Sequence, residues 1–303
     1  MVLLASEMNK IYWGGIKVKG NRRLIPGELV DNITRKEALK LINEFLNKVE
    51  KYRDILLSDS RTPFDRYIIA LDEFINNLEF KLGENGNQSI VEKGSNHYSN
   101  EANKDLTKVI IETKKSMVRI AESMLGLLKR VRKRWLRVGK HELEQLINEL
   151  IRGGEARILV SGEPNKENKS FAVHLYTRHI AITISRKANG SRTIALTLTK
   201  LKGIHITIPK LFDDIILNAM EYGLLLTDGT IDRAGYPRMN THNLWQAIIW
   251  ILSYPGKVHI YVSGISINDD NVSVAWVLTT MNHGVKNKKE VVERAIKFSD
   301  DDF

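Results

Sequence analysis

Apolar side chains recur with a helical period through the first part of the chain. They stand three or four residues apart over 36–57 and again over 68–82, which predicts two amphipathic helices. Asn32 or Thr34 is a suitable cap for the first helix, and Pro63 suits the first position of the second. The chain is therefore expected to begin as a helical structure.

The helical pattern continues after an interruption. Residues 83–104 are rich in Asn, Ser and Gly and contain few apolar side chains, which predicts a flexible linker. Further helices are predicted over 105–138 and 142–151, with Gly139 between them. Residues 1–153 are thus predicted to form a helical domain.

Beyond Gly153 the apolar positions alternate with polar ones, which is typical of strands with one buried face. We place a domain boundary near this glycine and expect an α+β domain over 154–303. Its first part, 155–209, is strand-rich. The predicted strands are 157–160, 171–176, 179–185, 193–199 and 204–208.

The last third of the chain, 210–298, mixes both periods in a fixed order. A helix is followed by two strands, a second helix, two further strands and a third helix, written αββαββα. The fold class predicted for the whole chain is therefore α+β. A helical N-terminal part precedes a strand-rich region, and the αββαββα unit comes last.

The first helix of this unit ends in the segment Gly223-Leu-Leu-Leu-Thr-Asp228-Gly229. This segment resembles the signature of the LAGLIDADG homing endonucleases, in which a helix ends in an acidic residue followed by glycine. The αββαββα order also resembles one half of that fold. The resemblance covers about a third of the chain and implies a metal-dependent DNA endonuclease. In that activity Asp228 would be both the catalytic and the metal-binding residue, with Mg²⁺ as the ion.

Small residues line one face of the same helix. Ala219, Gly223 and Thr227 follow at intervals of four, and small side chains allow two helices to approach closely. The LAGLIDADG family has two motifs per active unit, whereas this chain shows one. Two alternatives stay open. In the first, helix 211–228 packs against a second copy of the chain or against another protein; in the second, the unit is non-catalytic. A plain helix stop at Asp228 also explains the pattern.

The charge balance favours a polyanionic partner. Lys and Arg number 46 and Asp and Glu 36, which gives a net charge of +10. Solubility alone would also explain such an excess. The densest basic run lies on a predicted helix, where Trp135 is a candidate for stacking on a base and core packing is the alternative. The cations predicted to bind phosphate in this run are Lys129, Arg130, Lys133, Arg134, Arg137 and Lys140.

A second group of cations follows the predicted strands. We expect them to form one basic sheet face, with exposure for solubility as the alternative explanation. They are Arg186, Lys187, Arg192, Lys200 and Lys202.

Several classes of site are excluded or disfavoured by the sequence. The chain has no cysteine, which excludes disulfides and thiolate ligands. No phosphate-binding loop or dinucleotide fingerprint occurs, and the histidines lack the spacing of a zinc site. No apolar stretch is long enough for a membrane helix, and the first residues do not resemble a secretion signal, so we expect a cytoplasmic protein without a membrane partner.

The sequence favours a protein that binds nucleic acid, and DNA in particular. It is expected to act as a non-catalytic recognition or scaffold subunit, in the setting of a mobile element or an antiviral defence complex. One alternative is a metal-dependent homodimeric endonuclease acting through Asp228. The other is a protein–protein adaptor.

Overall fold

A computed structural model describes residues 10–15, 23–87, 99–152, 156–164, 166, 169–285 and 287–301. The protein is α+β, as predicted. Its chain divides into two compact units, each assembled from three segments. The first unit is Met1–Asp65, Val131–Leu201 and Ser263–Ala275, and the second is Arg66–Arg130, Lys202–Val262 and Trp276–Phe303. Both sides of residue 153 thus contribute to each unit.

The helices, in chain order, are α1 (Asn32–Lys51), α2 (Arg53–Leu56), α3 (Asp65–Asn87), α4 (Ser99–Arg134), α5 (Lys140–Arg152), α6 (Asp214–Thr227), α7 (Leu244–Ser253) and α8 (Lys288–Asp301). A π-helical turn, Trp135–Gly139, joins α4 to α5. The strands are β1 (Ile11–Gly14), β2 (Pro26–Leu29), β3 (Ile158–Gly162), β4 (Phe171–Tyr176), β5 (Ile180–Arg186), β6 (Arg192–Leu198), β7 (Ile204–Ile208), β8 (Gly229–Ile231), β9 (Pro237–Thr241), β10 (Gly256–Ile267) and β11 (Val272–Thr280).

The element order of the second half is confirmed. Strands β3 to β7 match the five predicted strands within a few residues, and α6 to α8 follow in the αββαββα order. The hairpin of β1 and β2 was not predicted, and Pro26 and Gly27 lie in β2. This hairpin joins the sheet by the parallel pairing of β1 with β3, which is far away in sequence.

Several helix ends differ from the predictions. The cap of α1 is Asp31, whose carboxylate accepts a hydrogen bond of 2.8 Å from the Thr34 backbone N–H. Asn243 caps α7 in the same way. Helix α3 begins at Asp65, two residues after Pro63. A side-chain cap specifies the first residue of a helix, whereas the spacing of apolar residues leaves the boundary uncertain by one or two residues.

The predicted linker 83–104 is helical at both ends. Helix α3 continues past Gly83 to Asn87, and α4 begins at Ser99. Propagating an existing helix fixes one residue for each hydrogen bond gained, so polar residues can extend it. Residues 88–98 lie outside the described residues.

The first unit contains a sheet with the strand order β2-β1-β3-β4-β5-β6, followed by the end of β10. Apart from the parallel pair of β1 and β3, the pairings are antiparallel. Side chains of alternate residues point to opposite faces. Ile182 and Ile184 of β5 are buried on one face, where α1 packs with its buried Phe45.

The second unit contains β7, the start of β10, the end of β11, β9 and β8, in that order. Helices α6 and α7 pack on one face of these strands, and α8 packs against α6. Met239, Trp250, Val258, Ile260 and Leu278 are almost fully buried in this layer. In the part of the chain that the structure describes, each helix is too short or too polar to cross a membrane.

Candidate nucleic-acid interface

The basic run of α4 does not form the continuous cationic face that its spacing predicts. Arg130, Lys133 and Arg137 are exposed. Lys129 is exposed too and forms an ion pair of 3.6 Å with Asp72. Three predicted positions therefore keep an exposed guanidinium or ammonium group, and one is partly neutralised.

Lys140 and Arg134 were expected on the same face and are placed otherwise. Lys140 is buried and forms an ion pair with Asp59. The Arg134 guanidinium donates a hydrogen bond of 3.1 Å to the Thr199 carbonyl. The π-helical turn explains the burial of Lys140, because its wider hydrogen-bonding pattern rotates the residues that follow it.

Trp135 is a core residue and is not placed to stack on a base. Its side chain is fully buried, with its ring centroid 6.2 Å from that of Phe64 in an edge-to-face arrangement. Gly139, one turn later, lies against the same indole, where a Cβ would be 2.7 Å from the nearest ring carbon.

The strand-region cations are also not gathered on one face. The Arg186 guanidinium donates to the Pro164 carbonyl at 2.8 Å and lies 3.9 Å from Glu37. Arg192, its cross-strand neighbour, pairs with Glu44 at 2.6 Å. Carboxylates of α1 thus neutralise these two cations. The remaining predicted cations, all exposed, are Lys187, Lys200 and Lys202.

The open face of the first unit's sheet is uncharged along β5 and β6. Its side chains are small, and each is partly or fully exposed: Ala181, Thr183, Ser185, Thr193, Ala195 and Thr197. On β4 and β3, His174 continues this face and its Nε2 lies 2.9 Å from the Ser161 hydroxyl. We call these eight residues the hydroxyl face.

Asp228 lies immediately after α6, where the resemblance places it. Its backbone N–H donates to the Leu224 carbonyl, and its carboxylate accepts a hydrogen bond of 2.6 Å from the Gln246 amide. Among the described residues, no group of three His, Asp or Glu side chains is arranged to hold a metal ion. The carboxylate is therefore positioned by Gln246 in the single chain.

The small-residue face of α6 is exposed. Ala219, Gly223 and Thr227 lie at the surface, and a Cβ on Gly223 would meet no atom within 4 Å. Ile215 and Ile216 at the start of the helix are also about half exposed. The face expected to pack against another helix is thus accessible in the described residues of one chain.

The structure gathers a different set of residues on the open face of the second unit's sheet. On β10, Lys257, His259 and Tyr261 alternate with the buried residues Val258 and Ile260. Neighbouring strands add side chains of the same orientation. We call the set the His–Tyr face: His205, Thr207, Arg238, Asn240, Lys257, His259 and Tyr261.

Three rings form a row across this face. His205 lies directly opposite His259, and their centroids are 4.6 Å apart with planes inclined by 23°. The Tyr261 ring follows at 5.5 Å from His259. A row of rings at these spacings offers aromatic surface on which a nucleobase can stack.

Cations and amides lie beside the rings. The Arg238 guanidinium donates to the Tyr261 hydroxyl at 2.9 Å and reaches the Asn240 amide oxygen at 3.4 Å. The exposed Lys257 lies across from Thr207. These side chains can donate hydrogen bonds to phosphate oxygens while the rings contact bases.

The electrostatics of the row keep one imidazole uncharged. Burial lowers the pKa of His259, and the neighbouring His205 and Lys257 lower it further. A neutral ring stacks without adding to the local positive charge. A polyanion beside it would favour protonation, so its charge can respond to a bound phosphate.

Sequence analysis missed this face, although a signal was present. His259 and Tyr261 stand at every second position of the predicted strand 258–265, which Lys257 directly precedes, and His205 and Thr207 alternate in the same way in the predicted strand 204–208. The spacing shows that each set shares a face, but not that β7 and β10 are neighbours. Comparisons of the chain with protein-family models, curated proteins and solved structures gave no match.

Proposed function

We propose that the protein binds nucleic acid through the His–Tyr face of its second unit. The observation that supports this most directly is the row of His205, His259 and Tyr261 rings on an open sheet face beside Lys257 and Arg238. Aromatic stacking contributes about 1–3 kcal/mol per base, and cations add a salt-dependent attraction to phosphate.

We further propose a role as a recognition or scaffold subunit that binds without cutting. The contact that supports it is the hydrogen bond from Gln246 to Asp228, which gives that carboxylate a structural partner. DNA is the partner that the LAGLIDADG resemblance implies. A mobile element or an antiviral complex is the setting consistent with it.

A second candidate function is a metal-dependent endonuclease built from two copies of the chain. The exposure of Ala219, Gly223 and Thr227 beside Asp228 favours it, because a second α6 could pack there and bring a second Asp228 close. Two adjacent carboxylates would suit Mg²⁺, which prefers oxygen ligands.

Binding is tested by fluorescence anisotropy with a labelled single-stranded DNA, the same sequence as RNA, and the DNA duplex, in a salt series. We expect the affinity to fall as salt rises, and the double variant His259→Ala/Tyr261→Ala to bind about tenfold or more weakly. The matched control, Thr183→Ala/Thr197→Ala on the hydroxyl face, should bind like the wild type. Equal affinity of both double variants would remove the His–Tyr face from the proposal.

A further inference from the structure

The second unit contains a cavity of about 260 Å³ between α6, α8 and the segment after β11. Helix α6 lines it with Asn218, Glu221, Tyr222 and Leu225, whose spacing places them on one helical face. This volume is many times the roughly 10–15 Å³ that one water molecule needs, so the cavity has room for a small organic ligand. The cavity lies among the helices, whereas the His–Tyr face is on the other side of these strands.

Glu221 is the acidic group of this cavity. Its side chain is 18% exposed, and Oε1 lies 3.3 Å from Nδ1 of His283. Within the described residues, His283 is the one hydrogen-bond or ion-pair partner of this carboxylate. Burial raises the pKa of Glu221 to about 7, an effect that the Arg294 guanidinium partly offsets. The carboxylate is therefore short of positive charge.

The orientation of the His283 ring determines whether a proton lies between its Nδ1 and the Glu221 carboxylate. Its Nε2 is 2.8 Å from the Pro255 carbonyl oxygen, which can only accept, so Nε2 carries a proton. Nδ1 of a neutral ring would then direct a lone pair at Glu221. A single proton shared by Nδ1 and Oε1 removes that repulsion, and its loss leaves a net negative pair.

The other titratable and charged groups around this pair come from each neighbouring element. Burial raises the pKa of both Tyr222 on α6 and Tyr254 after α7, so both phenols are neutral. The Tyr254 ring packs edge-to-face on His283 at 5.3 Å. Arg294 of α8 also lines the cavity, is half exposed and forms an ion pair with Glu290. Neutral rings thus surround the acidic pair, and the nearest guanidinium already has its own counter-charge.

We propose that this cavity binds a small organic cation, an amine or an amidine, with Glu221 as its counter-charge. Phenol rings and a carboxamide oxygen at Asn218 are groups that a cation with N–H donors can contact. The incoming cation replaces the proton shared with His283, so binding releases one proton. Affinity then rises with pH, by up to about tenfold per unit, while the pair is still protonated.

The test is isothermal titration calorimetry on the full chain with 1,4-diaminobutane and, as a neutral control of the same length, 1,4-butanediol. Titrations are made at about pH 6 and about pH 8, on either side of the Glu221 titration. We expect the diamine to bind, at least tenfold more tightly at the higher pH, and the diol not to bind. Equal binding of the two probes, or no binding of the diamine at either pH, would overturn the proposal.

Variants locate the site. Glu221→Gln should abolish diamine binding, and Asn218→Leu, which leaves the acidic pair intact, should weaken it about tenfold by filling the cavity. Glu293→Gln removes an exposed carboxylate of α8 and should bind like the wild type.

Thermal stability gives a separate readout. Raising the pH from 5 to 8 should lower the Tm of the wild type relative to that of Glu221→Gln, because the buried Glu221 carboxyl ionises less readily in the folded protein than in the unfolded chain. Unaltered diamine binding by both cavity variants would contradict the assignment.

Discussion

In both units, buried and exposed side chains alternate along the strands, but the exposed side chains of the two open sheet faces differ in type. On the hydroxyl face of the first unit, the exposed positions of β5 and β6 are Ala, Ser and Thr. On the His–Tyr face of the second unit, the equivalent positions of β7 and β10 are His, Tyr, Thr and Lys. The difference shows that strand periodicity specifies an open face without specifying its use.

The two units also differ in where their strand cations lie. Arg186 and Arg192 have the orientation of the covered face and pair with Glu37 and Glu44 of α1. Lys257 and Arg238 have the orientation of the open face. A cation can attract a polyanion only where no carboxylate already neutralises it, so the net charge of +10 overstates the first unit's contribution.

The largest effect we expect is a pH dependence of binding that arises from His259 on the His–Tyr face. Because burial, His205 and Lys257 lower the pKa of His259, the free protein holds this ring neutral further below pH 6.5 than an ordinary histidine. A bound phosphate favours the protonated ring, so affinity should rise as the pH falls below about 6.5, by up to about tenfold per unit. Anisotropy titrations at several pH values measure it. His259→Gln should flatten the profile, and a profile unchanged by that substitution would assign the effect elsewhere.

A matched pair of lysine substitutions tests whether phosphate contacts lie on the second unit. Lys257→Ala on the His–Tyr face should weaken binding about fivefold and reduce the slope of log affinity against log salt by about one. Lys187→Ala removes an exposed cation at the end of β5 and should leave the slope unchanged. The slopes come from salt titrations of both variants with one oligonucleotide. Equal slopes in the two variants would mean that phosphate contacts are not confined to the second unit.

Charge added to the hydroxyl face would make the two faces more alike. Ala195→Lys/Thr197→Lys places two ammonium groups on the exposed side of β6. We expect a gain of about threefold in affinity, largely sensitive to salt, because β5 and β6 carry no ring on this face and its two stacked rings, His174 and Tyr176, lie on β4. Anisotropy at low and high salt measures the gain. A larger gain that persists at high salt would show that rings are not needed for binding.

The smallest effect concerns Asp228. If the chain binds without cutting, Asp228→Asn should change the affinity by less than about twofold, since an amide can still contact Gln246. Incubation of supercoiled DNA with Mg²⁺ provides the second measurement. Nicking by the wild type that disappears in the variant would favour the homodimeric endonuclease instead.

Much of the fold could be predicted because the signals are local. The strand positions from β3 to β7 and the order from α6 to α8 follow from the alternation and the helical period of neighbouring residues. The basic run on α4 was equally visible. Its geometry was not, because the π-helical turn at Trp135–Gly139 removes Lys140 from the surface, and a turn of this kind has no sequence period of its own.

The residues of each strand that share a face could be read from the amino-acid order, since side-chain direction alternates with every peptide unit. Which strands are neighbours, and which faces stay open, follows from the folded arrangement of the elements. His205 and His259 are in contact because β7 pairs with β10, and Arg186 is neutralised because α1 lies over β5. Contacts between residues far apart in the chain depend on the packing of whole elements, which short-range patterns do not encode.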